Sequence, residues 1–218
     1  MSYLTRLDAL DFSHSLAAAS VRSRAVLLTG QSSFCSSRLS DVQTDFLRAV
    51  APPITEPLFT GFPYHPEFNR AEFNREEVEP NLLAASWRNG WQFAASLASV
   101  RWQHIVARAL QPLFHRTDES LLIVTGSCGL QLLACAWPHL VKPENQIVSI
   151  AALGPVLWHP FTLDLREIFA VQSRADALSR FSYRGAVAAQ CDGGHLDYWQ
   201  SATARELVAQ FFLTRGAA

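Results

Sequence analysis

The sequence lacks an excess of charge of either sign. Its 18 Lys and Arg residues are balanced by 19 Asp and Glu residues, so the net charge is −1 at pH 7. A protein that neutralises nucleic-acid phosphates needs a surplus of basic side chains. The chain also lacks any run of 18 or more apolar residues, the length that a membrane-spanning helix requires. We therefore expect neither a nucleic-acid partner nor a membrane partner.

Paired metal-binding cysteines are also missing. The chain has four scattered cysteines: Cys35, Cys128, Cys135 and Cys191. None forms a CxxC pair, which argues against a zinc site or a thioredoxin-like motif. Scattered single cysteines of this kind are typical of small core residues in a reducing compartment. The first 24 residues carry Asp8 and Asp11 and make a poor secretion signal. We expect a cytoplasmic protein that needs no metal or organic cofactor.

Apolar residues are plentiful. They make up 49% of the chain and charged residues only 17%, which excludes an intrinsically disordered protein. A chain of 218 residues is expected to form a single domain, residues 1–218. Such a domain buries roughly 70% of its unfolded surface and needs no disulfide. The sequence leaves the oligomeric state open.

Short apolar runs alternate with helical patterns along the chain. Strands are predicted at residues 25–28, 57–62, 121–124, 147–153, 168–171 and 186–189. Helices are predicted at residues 40–50, 81–114, 130–137, 177–181 and 203–214. Ser99 either breaks the longest helix or caps a second one, and Thr203 with Glu206 forms a capping box in the last. Trp87, Trp91 and Trp102 recur at helical spacing, which predicts a core stripe.

The alternation of these elements predicts the fold class. Strands without polar alternation are buried on both faces, so we expect an α/β fold with a mostly parallel sheet flanked by helices. In such sheets, ligand sites lie beyond the carboxyl ends of the strands. The residues that follow each strand are therefore the candidates for function.

A serine follows the most apolar strand on a short turn of small residues, Thr-Gly-Ser-Cys-Gly. Gly129, two residues after Ser127, lets the backbone turn sharply into the next helix. The helix dipole and the backbone N–H of Cys128 would stabilise an oxyanion beside the Ser127 hydroxyl. Cys128 is the alternative nucleophile, although Leu130 then stands where that arrangement needs a small residue.

An acid and a histidine follow two later strands. Asp176 comes after the fifth predicted strand and His195 after the sixth. A serine, an acid and a histidine in this order are typical of a hydrolase triad, in which the imidazole takes the Ser127 proton and the acid orients the imidazole. Asp176 is equally suited to cap the helix that follows it. Asp192 and Asp164 are the alternative acids.

The loop after the first strand is expected to supply the second oxyanion donor. Gly30 lets the backbone turn so that the N–H of Gln31 or Ser32 points into the site. Four residues are expected to contact the substrate: Gly30, Phe62, Tyr64 and Trp158. The connection at residues 154–167 leaves no room for a helical lid, so residues 61–80 would form only a partial cover.

These motifs resemble those of the α/β-hydrolase superfamily. The motifs are AVLLTGQSS for the oxyanion loop, LLIVTGSCGL for the nucleophile turn, IFAVQSRAD for the acid strand and VAAQCDGGHLDYW for the histidine loop. The resemblance covers most of the chain from Ala25 onward. The sequence departs from the usual pattern at Thr125 and Leu130, where the superfamily favours glycine, and at Thr29, where it favours histidine.

The resemblance implies a small, lidless serine hydrolase. Its substrate would be a small acyl compound, a carboxylic ester or thioester, cleaved through an acyl-Ser127 intermediate. Acyl transfer to a second substrate on the same residues is an alternative. A binding protein without catalytic activity is another, because a fold does not dictate a function.

Overall fold

A computed structural model describes residues 2–16, 19–68, 82–158 and 168–216. The strands are β1 Val21–Leu28, β2 Glu56–Leu58, β3 Thr117–Gly126, β4 Ile147–Leu153, β5 Ile168–Ser173 and β6 Ala189–Cys191. The helices are α1 Tyr3–Asp8, α2 Asp41–Val50, α3 Leu82–Ala98, α4 Val100–His115, α5 Gly129–Ala136, α6 Ala177–Ser182 and α7 Ala202–Gly216. Short 3-10 turns lie at Phe12–His14, Pro66–Phe68 and Trp137–His139.

The six strands form one sheet in the order β2-β1-β3-β4-β5-β6. Every neighbouring pair is parallel, which confirms the predicted α/β fold with a parallel sheet and flanking helices. At the carboxyl edge, Leu28 pairs with Thr125 and Gly126 pairs with Leu153. The loops after β1, β3 and β4 therefore leave the sheet side by side.

An apolar layer covers each face of the sheet. Successive side chains of a strand point to opposite faces, so the central strands supply both layers. Val26 and Ile123 pack with the buried side of α4, including Trp102. Leu27 and Val124 pack on the other face, with side chains from α2 and α7. This double burial explains why β1 and β3 read as uninterrupted apolar runs.

Some helix and strand boundaries lie where the sequence predicts them, and others differ by a few residues. Ser99 separates α3 from α4 and caps α4, because its hydroxyl accepts the N–H of Trp102 at 3.2 Å. The last helix begins earlier than predicted: Ser201, not Thr203, accepts the N–H of Ala204 at 3.2 Å. Strand β6 lies at Ala189–Cys191, later than the apolar run that predicted it.

The tryptophan stripe is only partly in the core. Trp102 is fully buried and Trp91 is half-buried, but Trp87 is 68% exposed, so the prediction is wrong for Trp87. Residues 159–167 of the connection that is expected to lack a lid, with Asp164, and most of the predicted partial cover lie outside the described residues. Among the helices that the structure describes, none is long and apolar enough to cross a membrane.

Candidate active site

Ser127 sits on a strained turn between β3 and α5. Its φ is +50°, a left-handed conformation that non-glycine residues rarely adopt and that costs of the order of 1–3 kcal/mol. Two backbone hydrogen bonds hold it: the Ser127 N–H donates to Leu153 O at 3.2 Å, and the Val156 N–H donates to Ser127 O at 2.9 Å. The turn thus raises the half-buried Ser127 side chain above the carboxyl edge of the sheet.

Glycine is required on both sides of this serine. A Cβ at Gly129 would collide with the backbone carbonyl of Leu28, and one at Gly126 would collide with the Trp199 ring. Thr125, the departure from the usual pattern, is still within β3 and buried. The close approach therefore falls one residue later than expected, which explains why threonine is accommodated at position 125.

The structure brings together the three side chains expected to form a triad. His195 Nε2 lies 2.9 Å from Ser127 Oγ, and His195 Nδ1 lies 2.8 Å from Asp176 Oδ2. Both distances are within hydrogen-bonding range, so a proton can pass between Ser127 and His195 while Asp176 holds the ring. The imidazole is 21% exposed and the Asp176 side chain is fully buried.

Asp176 serves as a helix cap and as the partner of His195 at the same time. Its Oδ1 accepts the Ser179 N–H at 3.0 Å and caps α6, while its Oδ2 faces His195. The hydroxyl of Tyr198 donates to the same Oδ2 at 2.8 Å. The two roles considered for Asp176 are thus compatible. Sequence reasoning missed Tyr198, since no spacing rule signals this contact.

The loop that carries His195 is anchored at two points. Gly193 has a φ of +104°, and its carbonyl accepts the hydroxyl of Ser173 from β5. The Gly194 N–H donates to Asp197 Oδ2 at 2.6 Å. Asp192, an alternative acid, is exposed, and no bond joins it to His195 among the described residues. Asp176 is therefore the acid that the geometry pairs with His195.

The oxyanion loop differs from expectation at Gln31. The Gln31 N–H donates to Gln92 Oε1 at 3.1 Å, and Gln31 O accepts from Gln92 Nε2 at 2.9 Å. This buried pairing fixes the loop on α3 and leaves the Gln31 N–H with its own acceptor, so the expectation that it binds an oxyanion is corrected. Ser32 stays a candidate donor; its carbonyl accepts from Arg88 at 2.7 Å.

The Cys128 side chain connects the nucleophile turn with the loop after β1, the two segments expected to form the oxyanion hole. Burial raises the pKa of its thiol to about 11, and a hydrogen bond from the Gly30 N–H to the sulfur opposes that rise. A Cβ at Gly30 would collide with this sulfur and with the Asn89 amide. The thiol is therefore neutral near pH 7 and faces the loop, a poor environment for a cysteine nucleophile.

A cleft of about 560 Å³ opens beside the oxyanion loop. Gly30 and Phe62, both expected to contact substrate, line it. The rest of its wall is largely polar and includes Ser32, Ser33, Ser36, Ser37 and Ser40. Tyr64 is wrongly predicted as a contact, because it is fully buried and its hydroxyl donates to Leu27 O at 2.9 Å.

Trp158 lies beyond β4 and is 58% exposed. Its backbone N–H donates to Gln131 Oε1 of α5 at 3.1 Å, and its ring lies 6.0 Å from that of Phe181. Trp158 does not line the serine-rich cleft, so its expected contact with substrate stays a prediction. Within the described ranges, no three His, Cys, Asp or Glu side chains gather as a metal-binding group.

Comparison with known proteins identifies the fold. The sequence matches no protein-family model and no curated protein. The structure resembles the crystal structure of a protein from Xanthomonas campestris pv. campestris assigned to the alpha/beta superfamily of hydrolases. The TM-score is 0.51 at 13% sequence identity, over 88% of this chain and 99% of the other. An identity this low speaks for the fold alone, and the chain accordingly has the α/β-hydrolase fold.

Proposed function

We propose that this protein is a serine hydrolase that cleaves a carboxylic ester or thioester. One observation carries the proposal: an unbroken hydrogen-bonded chain runs from Ser127 through His195 to Asp176. A serine hydroxyl is a weak nucleophile unless an adjacent base takes its proton, and this chain supplies the base and its orienting acid. The strained φ of Ser127 supports the same role, since strain of this kind clusters at functional sites.

The reaction follows from the positions of these groups. His195 Nε2 accepts the Ser127 proton as Oγ attacks the acyl carbon, and Asp176 stabilises the imidazolium that forms. The N–H groups of Cys128 and Ser32 stabilise the tetrahedral oxyanion. When the intermediate collapses, His195 returns the proton to the departing alcohol or thiol. Water, activated by the same imidazole, then hydrolyses the acyl-Ser127 intermediate.

The cleft beside the oxyanion loop, which is lined by neither Ser127 nor His195, has a size that suits a small acyl substrate. A cleft of about 560 Å³ falls within the range of about 300–1,000 Å³ that small-molecule sites occupy. Its border on Gly30 brings it next to the proposed oxyanion hole, and its serine hydroxyls favour a polar substituent on the substrate. The partial exposure of His195 leaves the imidazole accessible to the water that completes turnover.

The direct test is hydrolysis of p-nitrophenyl acetate, together with a matching thioester, by wild-type protein and Ser127→Ala. We expect the substitution to lower turnover by roughly 10³-fold or more while the fold is kept. Ser120→Ala is the matched control. Ser120 is buried on the same strand, and no described group bonds its hydroxyl, so activity is expected to stay unchanged. Undiminished hydrolysis by Ser127→Ala would overturn the proposal.

A further inference from the structure

Tyr198 forms a relay of two hydrogen bonds beneath the candidate triad. Its hydroxyl accepts the backbone N–H of Ser173 at 2.8 Å and donates to Asp176 Oδ2 at 2.8 Å. The N–H of Ser173 is a fixed donor, so it takes an acceptor site of the phenol oxygen. The only proton of the phenol is then directed at Asp176, on the same oxygen that faces His195.

The surroundings keep this phenol protonated and in place. Burial raises the pKa of Tyr198 well above its ordinary value, so the hydroxyl is protonated at neutral pH and can donate. Gly154, with a φ of +51°, passes so close that a Cβ would collide with the Tyr198 ring and the Asp176 carboxylate. The contact between Tyr198 and Asp176 is thus built into the packing of the site.

We infer that Tyr198 is a positioning residue for the Ser127–His195–Asp176 group. Its hydroxyl fixes the Asp176 carboxylate and weakens the electrostatic attraction between that carboxylate and a protonated His195. The inference rests on the proposed function only for its effect on turnover. With a neutral imidazole, the Asp176–His195 pair carries one negative charge, and after protonation it carries none. A donor to Asp176 stabilises the charged state more, so it opposes protonation of His195.

Tyr198 is distinct from the other ionisable groups near Asp176 and His195, because none of those that the structure describes donates a hydrogen bond to the Asp176 carboxylate. On the His195 loop and the elements packed against it they include Cys191, Asp192, Asp197, Arg174 and Arg180, and on α7 they include Arg205 and Glu206. Asp197 Oδ2 is bonded to the Gly194 N–H, and Arg180 reaches the carbonyl of Arg174. In the described part of the chain, Asp176 receives its hydrogen bonds from Ser179, His195 and Tyr198.

The test is an NMR titration of the His195 ring in wild-type protein and in Tyr198→Phe, with His195→Gln used to assign the signal. Loss of the donor should raise the titration midpoint of His195 by about 0.5 to 1 pH unit. Tyr183→Phe is the matched control, because Tyr183 is equally buried and its hydroxyl lies near Ala186 O rather than Asp176. An unchanged or lowered midpoint in folded Tyr198→Phe would overturn the inference.

A second variant gives the opposite sign and keeps the hydroxyl, adding only one fluorine to the ring. 3-Fluorotyrosine incorporated at position 198 is a stronger donor, so the His195 midpoint should fall; a rise or no change would contradict the inference even if Tyr198→Phe fails to fold. In ester hydrolysis, the acid limb of the kcat/KM profile should move with the NMR midpoint. If the His195 midpoint shifts as expected in these variants but the wild-type protein hydrolyses no ester, the role of Tyr198 is supported and the proposed function is refuted.

Discussion

His195 Nε2 lies 2.9 Å from Ser127 Oγ although 68 residues separate the two in the chain. Strands β4 and β5 stand between β3, which precedes Ser127, and β6, which precedes His195. The loop after β6 must therefore cross two strands, and its bond to Ser173 of β5 marks the path. The contact between His195 and Ser127 therefore depends on several loops at the carboxyl edge of the sheet, and the residues that hold these loops can be tested one by one.

Replacing Asp176 by asparagine separates its charge from its capping role. Asparagine caps helices as well as aspartate does, so α6 should keep its start. The amide cannot stabilise the imidazolium and favours the wrong tautomer, so kcat should fall by about 10³- to 10⁴-fold. Steady-state kinetics with p-nitrophenyl acetate measure this loss. Asp192→Asn, at an exposed position, should keep wild-type kcat; equal losses in both variants would refute the assignment of Asp176.

Gln92→Met tests the anchoring of the oxyanion loop. The substitution removes both bonds to the Gln31 backbone and leaves a buried peptide unit unpaired. Stability should fall by about 1–3 kcal/mol for each group left without a partner, as measured by urea denaturation. Because the loop then holds the Ser32 N–H less firmly, kcat should fall by roughly 10-fold or more with little change in KM.

Gln103→Met is the control for this change. The Gln103 amide bonds Ser96 O at the junction of α3 and α4 rather than the oxyanion loop. We expect kcat to stay at the wild-type value there. If Gln92→Met lost stability without any loss of kcat, the Gln31 loop would have no part in oxyanion stabilisation.

The edge of the sheet was predictable from sequence because parallel strands end on one side. Apolar runs located β3 and β5, and the polar residues after them, Ser127 and Asp176, had to meet at that edge. The boundaries of β6 were less predictable, since its three residues, Ala189–Cys191, carry little apolar signal of their own. The position of His195 just beyond this short strand nevertheless followed from its loop of glycines.

Contacts made at long range were not predictable. Gln92 and Gln31 are 61 residues apart, and Tyr198 meets Asp176 across 22 residues. Neither pair belongs to a local motif, so only the folded chain reveals them. An aromatic residue in a polar segment predicts an exposed side chain, but Tyr64 is in the core, where its hydroxyl donates to the carbonyl of Leu27.

Alkylation of the thiols distinguishes Cys128 from Ser127 as the nucleophile. With a pKa of about 11, the Cys128 thiol is almost wholly protonated at about pH 8 and should react slowly with iodoacetamide, accelerating as the pH rises toward that pKa. Exposed Cys35 should react first. Peptide mass spectrometry follows both sites. Rapid modification of Cys128 with parallel loss of esterase activity would favour the cysteine.

Reaction with a fluorophosphonate probe tests the account most directly, because the probe labels only a serine that an adjacent base activates. Peptide mass spectrometry should find a single adduct, on Ser127, that is absent from folded Ser127→Ala and strongly reduced in folded His195→Gln. A wild-type protein that is folded yet carries no adduct on Ser127, or labelling of Ser127 that is unaffected by His195→Gln, would contradict the account.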